Sequence, residues 1–586
     1  MKKEYTISLI FIIIWAFWAF LVPSFILNLE ATSFFQFGSR YLNLYINKIG
    51  GWSEYLSYFL LQLYKYSLVG ALIQTLLLVL MFFSVHGIAR KCGAKQNSTL
   101  LSSIAVLVLF ALQHNPNLLF SDILMIVLTN TCVWLAISIN RPIVRFVSLA
   151  ILSPLFLALL GGTGTLVFYV CVSLFVYSRE KGLKTLIWCV VWIALALGLP
   201  YLWQESVDLF NMGDIYLLHD DSKIAVLCCY GFSIFSIALG YLVSKVGALQ
   251  RTDFFWKEMI AVVVLLFGAI LYFPDRENEG YLTMQQAAID DDWDRVLEIG
   301  DTIKVPNREE TFFINLALAR KGVLAEKLFY YNNTWGIGGV YLPHNYDYTT
   351  NIVNGEFYRM IDVPNEAIHL IYQSSVASHQ GMDFRTLRRL IELNILKGDE
   401  AVAHKYLSIL ENTLCNKKWC SKQRENLLNP SENRRVLPSS EKDFFVGSRP
   451  FVLDMASMVD QGVTTSREYM LSYLLLDKKL GQFCNLLVAT YKSTDKLPLA
   501  YQEAVLLALN ADPNSIKINY KIDLDVQKRF QSYNEIVKKI KNIKGISSLQ
   551  VQEMTKEYIN SCWYYFNVVE PIKIDLRGTV IPEGYM

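Results

Sequence analysis

The sequence predicts an all-α protein. A polytopic transmembrane helix bundle of about nine spans fills residues 1–274, and a soluble α-helical repeat domain, tetratricopeptide-like, fills residues 275–586. Three observations lead there. Long apolar runs crowd the first part and are missing from the second. Basic residues recur in alternate loops between those runs. The second part carries helical periodicity with short turns and few strand signals. At 586 residues the chain is long enough for at least two domains. It is 53% hydrophobic, with a mean hydropathy of +0.30, high for a soluble protein.

Met1-Lys2-Lys3 followed by Ile7–Phe20 resembles the start of a signal peptide. The apolar run continues to about Leu29 without a small-residue cleavage site, which predicts an uncleaved first span. Helices that cross a bilayer need roughly 20 apolar residues. Runs at 6–28, 67–89, 98–114, 118–139, 146–161, 164–178, 185–203, 225–244 and 258–274 supply the candidates. The fifth and sixth are short, and Gly161-Gly162-Thr163-Gly164 lies between them. They read either as one kinked helix or as a hairpin. Arg141 and Arg145 before the pair, with Arg179, Lys181 and Lys184 after it, favour the hairpin. A second hairpin is expected over 98–139, with its apex at His114-Asn115-Pro116-Asn117.

Lys and Arg gather at the N-terminus and at 90–95, 141–145, 179–184 and 245–257, and the intervening loops have few. By the positive-inside rule the protein sits in the inner membrane, with a cytoplasmic N-terminus and a periplasmic C-terminal domain. Between the first two spans, Glu30–Tyr66 is amphipathic. Tyr41, Leu42, Leu44, Tyr45 and Ile49 have helical spacing, as do Tyr55, Leu56, Phe59, Leu60 and Leu63 after Gly50-Gly51. Two helices lying in the outer interface are expected there.

In the second part, helix-turn-helix pairs are expected over 387–410 around Gly398-Asp399, over 316–329 around Gly322, over 287–299 around Asp292-Trp293, and over 470–491 around 479–482. Stacked pairs of this kind build a concave surface that holds a protein or peptide partner; a plain helical domain is the alternative. Irregular structure is expected at 332–354, 421–450 and 571–586.

No Walker loop, HExxH, CxxC pair or nucleophile elbow is present. Gly336-Ile-Gly338-Gly339 lacks the strand-turn-helix setting of a dinucleotide site. A net charge of +2 gives no argument for nucleic acid. Outside the cytoplasm, Cys415 and Cys420 could oxidise to a bridge if a helix end or loop brings them together, with two separate thiols as the alternative. The acids of the outer loops carry the functional expectation: Glu30 where the first span ends, and Asp220 and Asp221 beside His219 before the eighth. Solvated headgroup acids are the plainer reading of all three. Asp122 is expected to cap the fourth span, although Ser121 serves equally well.

The segments Glu30–Gln36, Ile49–Gln62 and Gly70–Ile73 resemble a family of uncharacterised polytopic proteins of Bacteroidetes whose members end in a repeat-like domain. That resemblance brings no activity. In architecture the chain is similar to membrane glycosyltransferases of the GT-C class. Those have about this many spans, an interfacial helix, and an acid in the first outer loop as base or metal ligand. Glu30 matches that position, and the paired acidic motif usual in the class is not found. The similarity implies transfer of sugar from a polyprenyl-phosphate donor in the bilayer to an extracytoplasmic acceptor. Glu30, or Asp220 and Asp221, would act as general base. Arg40 and Lys48, with His219, would bind substrate, and a divalent metal is possible without a clear ligand set. The competing expectation is a non-enzymatic, membrane-anchored repeat scaffold for an envelope assembly or secretion complex.

Overall fold

Helices make up every regular element among the described residues. The computed structural model describes residues 2–93, 98–115, 118–180, 182–203, 276–331, 333–342, 347–361, 363–428, 464–513, 519–543 and 545–572, with a few isolated positions between 230 and 268 and at 516. The chain divides into two units. One comprises residues 1–279 with Ser408–Cys420; the other comprises 280–407 with 421–586.

The first unit opens with α1 (Lys2–Ala16), a π-helical turn (Phe17–Leu21) and α2 (Pro23–Ala31). Proline at the start of α2 removes a donor that has no intrahelical partner there and ends the preceding helix. The two arms of this first span consequently meet at 72°. Glu279 closes the break: its carboxylate accepts the amides of Ser24 at 2.7 Å and Phe25 at 3.0 Å, donors that the bend leaves over. Two short helices follow, α3 (Ser39–Ile46) and α4 (Gly51–Leu61). They fall where two helices were expected, with Tyr41, Tyr45 and Tyr58 turned inward and Leu44 and Trp52 outward.

Next come α5 (Ser67–Cys92), α6 (Ser98–Gln113), α7 (Phe120–Ser138), α8 (Pro142–Ile151), α9 (Ser153–Arg179) and α10 (Leu183–Trp203). Among the described residues, four helices are long and apolar enough to cross a membrane, or five with the bent first pair. That is fewer than the nine expected. With 16 residues, α6 rises only about 24 Å. The runs at 225–244 and 258–274 lie almost wholly outside the described residues. Gly87 of α5 lies directly against the Trp134 ring of α7, where no side chain would fit. Leu72, Leu76 and Phe83 make an exposed stripe on α5, as a lipid-facing helix requires.

By length α9 counts as a single span, but its backbone breaks at Gly161, φ 69° and ψ −176°. Beyond the break the chain runs back on itself. The Tyr169 hydroxyl donates to the Leu149 carbonyl at 2.8 Å, whereas twenty residues of straight helix would hold them roughly 30 Å apart. The Phe156 and Phe168 rings pack at a tilt, their centroids 4.5 Å apart. At the open end, Arg145 pairs with Glu180 at 3.6 Å. Residues 142–179 therefore form a hairpin with its apex at Gly161, the second of the two readings of this stretch.

The remaining helices follow in succession, those of the second unit packed around Phe312, Phe313, Phe357, Leu390, Leu475 and Tyr501 and, toward the C-terminus, around Phe530, Tyr533 and Trp563. They are α11 (Arg276–Ile289), α12 (Trp293–Thr302), α13 (Arg308–Arg320), α14 (Leu324–Lys327), α15 (Tyr348–Met360), α16 (Pro364–Ala377), α17 (Phe384–Lys397), α18 (Glu400–Glu411), α19 (Lys417–Leu428), α20 (Thr464–Leu476), α21 (Leu480–Thr490), α22 (Leu499–Ala511), α23 (Leu524–Lys541), α24 (Ser548–Thr555) and α25 (Cys562–Asn567). The expected turns at Gly398-Asp399 and Gly322 fall between helices, whereas α12 already begins at Trp293 and the turn expected at 479–482 lies earlier, at 477–479. Gly398 (φ 86°) ends α17, and its amide donates back to Asn394 and Ile395. Asp292 caps α12 by accepting the Arg295 amide at 3.1 Å.

Two stretches expected to be irregular are partly helical. Asp347 caps α15 through the Thr350 amide at 2.8 Å, so helix begins at Tyr348, and Ser421–Leu428 continues α19. Residues 429–450 lie outside the described residues. Gly336–Gly339 is a 3-10 turn whose Gly339 carbonyl accepts from Asn315 at 2.8 Å. Three helix levels are tied together by buried charge. Glu356 of α15 receives Arg389 of α17 at 2.6 Å and Arg359 at 2.9 Å, and Arg359 reaches Asp291 after α11 at 2.6 Å.

Candidate functional site

The hairpin sets two ends of the first unit apart. One is basic. Arg179 donates to the Lys91 carbonyl at the end of α5, and the Arg145–Glu180 pair lies beside it. The other end holds the hairpin apex, α3 and α4, and the acids.

At this second end the turn Gly50-Gly51 places α4 against α7. The Gly50 amide donates to the Leu157 carbonyl at 3.1 Å, just before the apex. That seating directs Glu54, in the first turn of α4, toward Asp122 in the first turn of α7. Tyr58 lies near both. Burial raises its hydroxyl pKa, and Tyr45, Glu54 and Asp122 add to the effect by their charge. Burial also raises the Glu54 carboxyl, with Lys48 opposing. Lys48 stands 3.9 Å from Glu54 and over the Tyr45 ring at 5.5 Å. The result is a pair of neighbouring carboxylates with one ammonium and one phenol. Such a group can accept a proton, hold a cation, or orient a hydroxyl.

Of the expected site residues, only Lys48 is seen at this cluster. Glu30 is buried in the last turn of α2, its carbonyl accepting from Ser33 N at 3.0 Å. Arg40 is exposed on α3. Lys48 faces Glu54. His219, Asp220 and Asp221 lie outside the described residues. Asp122 is not the N-cap residue, which is Leu119; from the third helical position its carboxylate accepts the Leu119 amide, so it serves the helix start while facing the cluster. Glu54 was not singled out by sequence, although its spacing across Gly50-Gly51 from Lys48 was a visible signal. Among the described residues no group of three or more His, Cys, Asp or Glu side chains is placed to hold a metal ion. Cys415 and Cys420 are separate thiols rather than a bridge. The Cys415 carbonyl is held by Lys65 Nζ at 3.0 Å, and Cys420 is buried in α19.

Bundle and acidic cluster together define a helical protein with several membrane-capable helices and a polar end. The chain belongs to a family of unknown function, DUF6057, whose model matches residues 2–568. No curated protein matches it, and neither does any solved structure.

Proposed function

We propose that this protein is a membrane glycosyltransferase or oligosaccharyltransferase of GT-C-like architecture, acting at the acidic end of the bundle. It moves sugar from a lipid-linked donor to an acceptor outside the cytoplasm. In this reading the basic end faces the cytoplasm, and the second unit is a tetratricopeptide-like domain that binds the protein acceptor. The observation that carries the proposal is the seating of α4 on α7, which sets Glu54 3.9 Å from Lys48 and within electrostatic reach of Asp122. Glu54 takes the proton of the acceptor hydroxyl, and burial suits it by raising its basicity. Lys48 and the exposed Arg40 meet the phosphate of the departing lipid.

The test is glycan on envelope proteins in strains carrying Glu54→Gln or Asp122→Asn. Each isosteric change is expected to lower transfer about 100-fold or more with protein level unchanged. Full transfer in both moves the role to Glu30, Asp220 or Asp221.

A second reading, a non-enzymatic repeat scaffold for an envelope complex, draws on the tight backbone packing of Gly50 on Gly161 next to the acids. Unaltered glycan in all five acid variants, together with loss of an envelope assembly on deletion of the chain, supports it.

A further inference from the structure

α8 and α10 both start at the basic end and run side by side. Phe146, one turn into α8, stacks on Trp188 of α10 at 4.9 Å and 21°. The two helix starts are therefore level, which places Arg141 and Lys184 at the same depth on either side of the seam. Both are exposed. Below them the seam is flanked by exposed apolar side chains: Val144 (49%) and Val147 (46%) on α8, Leu186 (48%) and Ile187 (52%) on α10.

The charge at this end is one-sided. Arg90, Lys91, Arg141, Arg145, Arg179 and Lys184 are set against Glu180, the one described acid between residues 90 and 93 or 140 and 184. Glu180 is already engaged by the buried Arg145. The first-turn amides of both helices add positive potential at the same level. An anion with an apolar tail satisfies every part of this surface, and a soluble anion satisfies only the cations.

We propose that the α8–α10 seam seats the headgroup of an acidic phospholipid, its phosphate between Arg141 and Lys184 and its acyl chains along Val144, Val147 and Ile187. Trp188 and Phe146 form the floor at the depth where aromatic rings favour the interface. The inference rests on the membrane-spanning reading of the bundle and not on transferase chemistry, so inactive or active Glu54→Gln protein bears on it equally little.

Native mass spectrometry of the full chain in mild detergent tests it, with phosphatidylglycerol and phosphatidylcholine of matched acyl chains as probes. Retention of phosphatidylglycerol over phosphatidylcholine is expected. The double variant Arg141→Gln/Lys184→Gln should cut that preference about tenfold or more, and Lys184→Gln alone about fivefold. A control that removes the same charge elsewhere, Lys304→Gln/Lys496→Gln, should keep it. Equal retention of the two lipids, or an undiminished preference in either seam variant, overturns the proposal.

Discussion

Gly50 and Gly161 meet backbone to backbone: a Cβ built on Gly50 would lie 3.3 Å from the Gly161 Cα and 2.9 Å from Met125 Cε. Both glycines have positive φ, 72° and 69°. Glycine at 50 permits the close approach, whereas a Cβ on Gly161 would lie 3.9 Å from the Gly50 Cα, and glycine is needed there for its backbone angles.

Gly161→Ala should therefore destabilise the first unit by about 1–3 kcal/mol, the cost of an L-residue held in this conformation. Gly50→Ala adds a steric clash and should cost at least as much. Thermal unfolding of the purified chain in detergent measures both; an unchanged midpoint for Gly161→Ala would mean that the break is not needed.

The Arg389–Glu356–Arg359 triad predicts a large effect in the second unit. Glu356→Ala leaves two guanidinium groups, both mostly buried, without their shared carboxylate. A loss of about 3–5 kcal/mol is expected. Arg359 keeps Asp291 and Arg389 keeps Glu392; adding Arg389→Met to Glu356→Ala should still recover part of the loss, because it halves the excess positive charge around the emptied site. No recovery in the double variant would show that the cost arises from packing.

Glu503 predicts a pH dependence. Burial raises its carboxyl to about 7, against the Cys562 amide and Arg529, which lower it. An acid whose folded pKa is raised binds more protons in the folded than in the unfolded state between the two values. Stability from this group is therefore present below about 4.5, the unfolded value, and falls as pH climbs toward 7. Its carboxylate also accepts the Cys562 amide at 2.7 Å, at the start of α25. Hydrogen exchange at Cys562 should quicken from pH 5 to pH 7.5 beyond the intrinsic rate. Glu503→Gln, neutral throughout, should remove the excess; an identical pH response in the variant would contradict this.

Cys415 and Cys420 should both react with maleimide after denaturation without reductant, as separate thiols. Protection of both until reductant is added would show a bridge.

Much of this architecture was legible because its signals are local. Gly322 and Gly398 are left-handed helix ends, and a glycine after a periodic run announces that. Charge at Arg145 and Arg179 anticipated a chain reversal that Gly161 then permits. What escaped was long-range. Glu54 and Asp122 lie far apart in sequence and are joined only by the packing of α4 on α7. Asp122 looked like a cap because Ser, Asp and Asn favour that position, yet the helix begins earlier, after Leu119. The irregular reading of 332–354 weighed its Tyr, Gly and Asn content over Asp347, whose spacing to the Thr350 amide starts a helix.

The central claim is a two-ended bundle in which residues 142–179 cross and return. Impermeant maleimide labelling of Asn140→Cys and Gly182→Cys in oriented membrane vesicles, with the parent chain as control, tests it most directly. Both positions should label from the same side, and Asn47→Cys from the opposite side. Labelling of Asn140→Cys and Gly182→Cys from opposite sides would make the segment a single span and contradict the account.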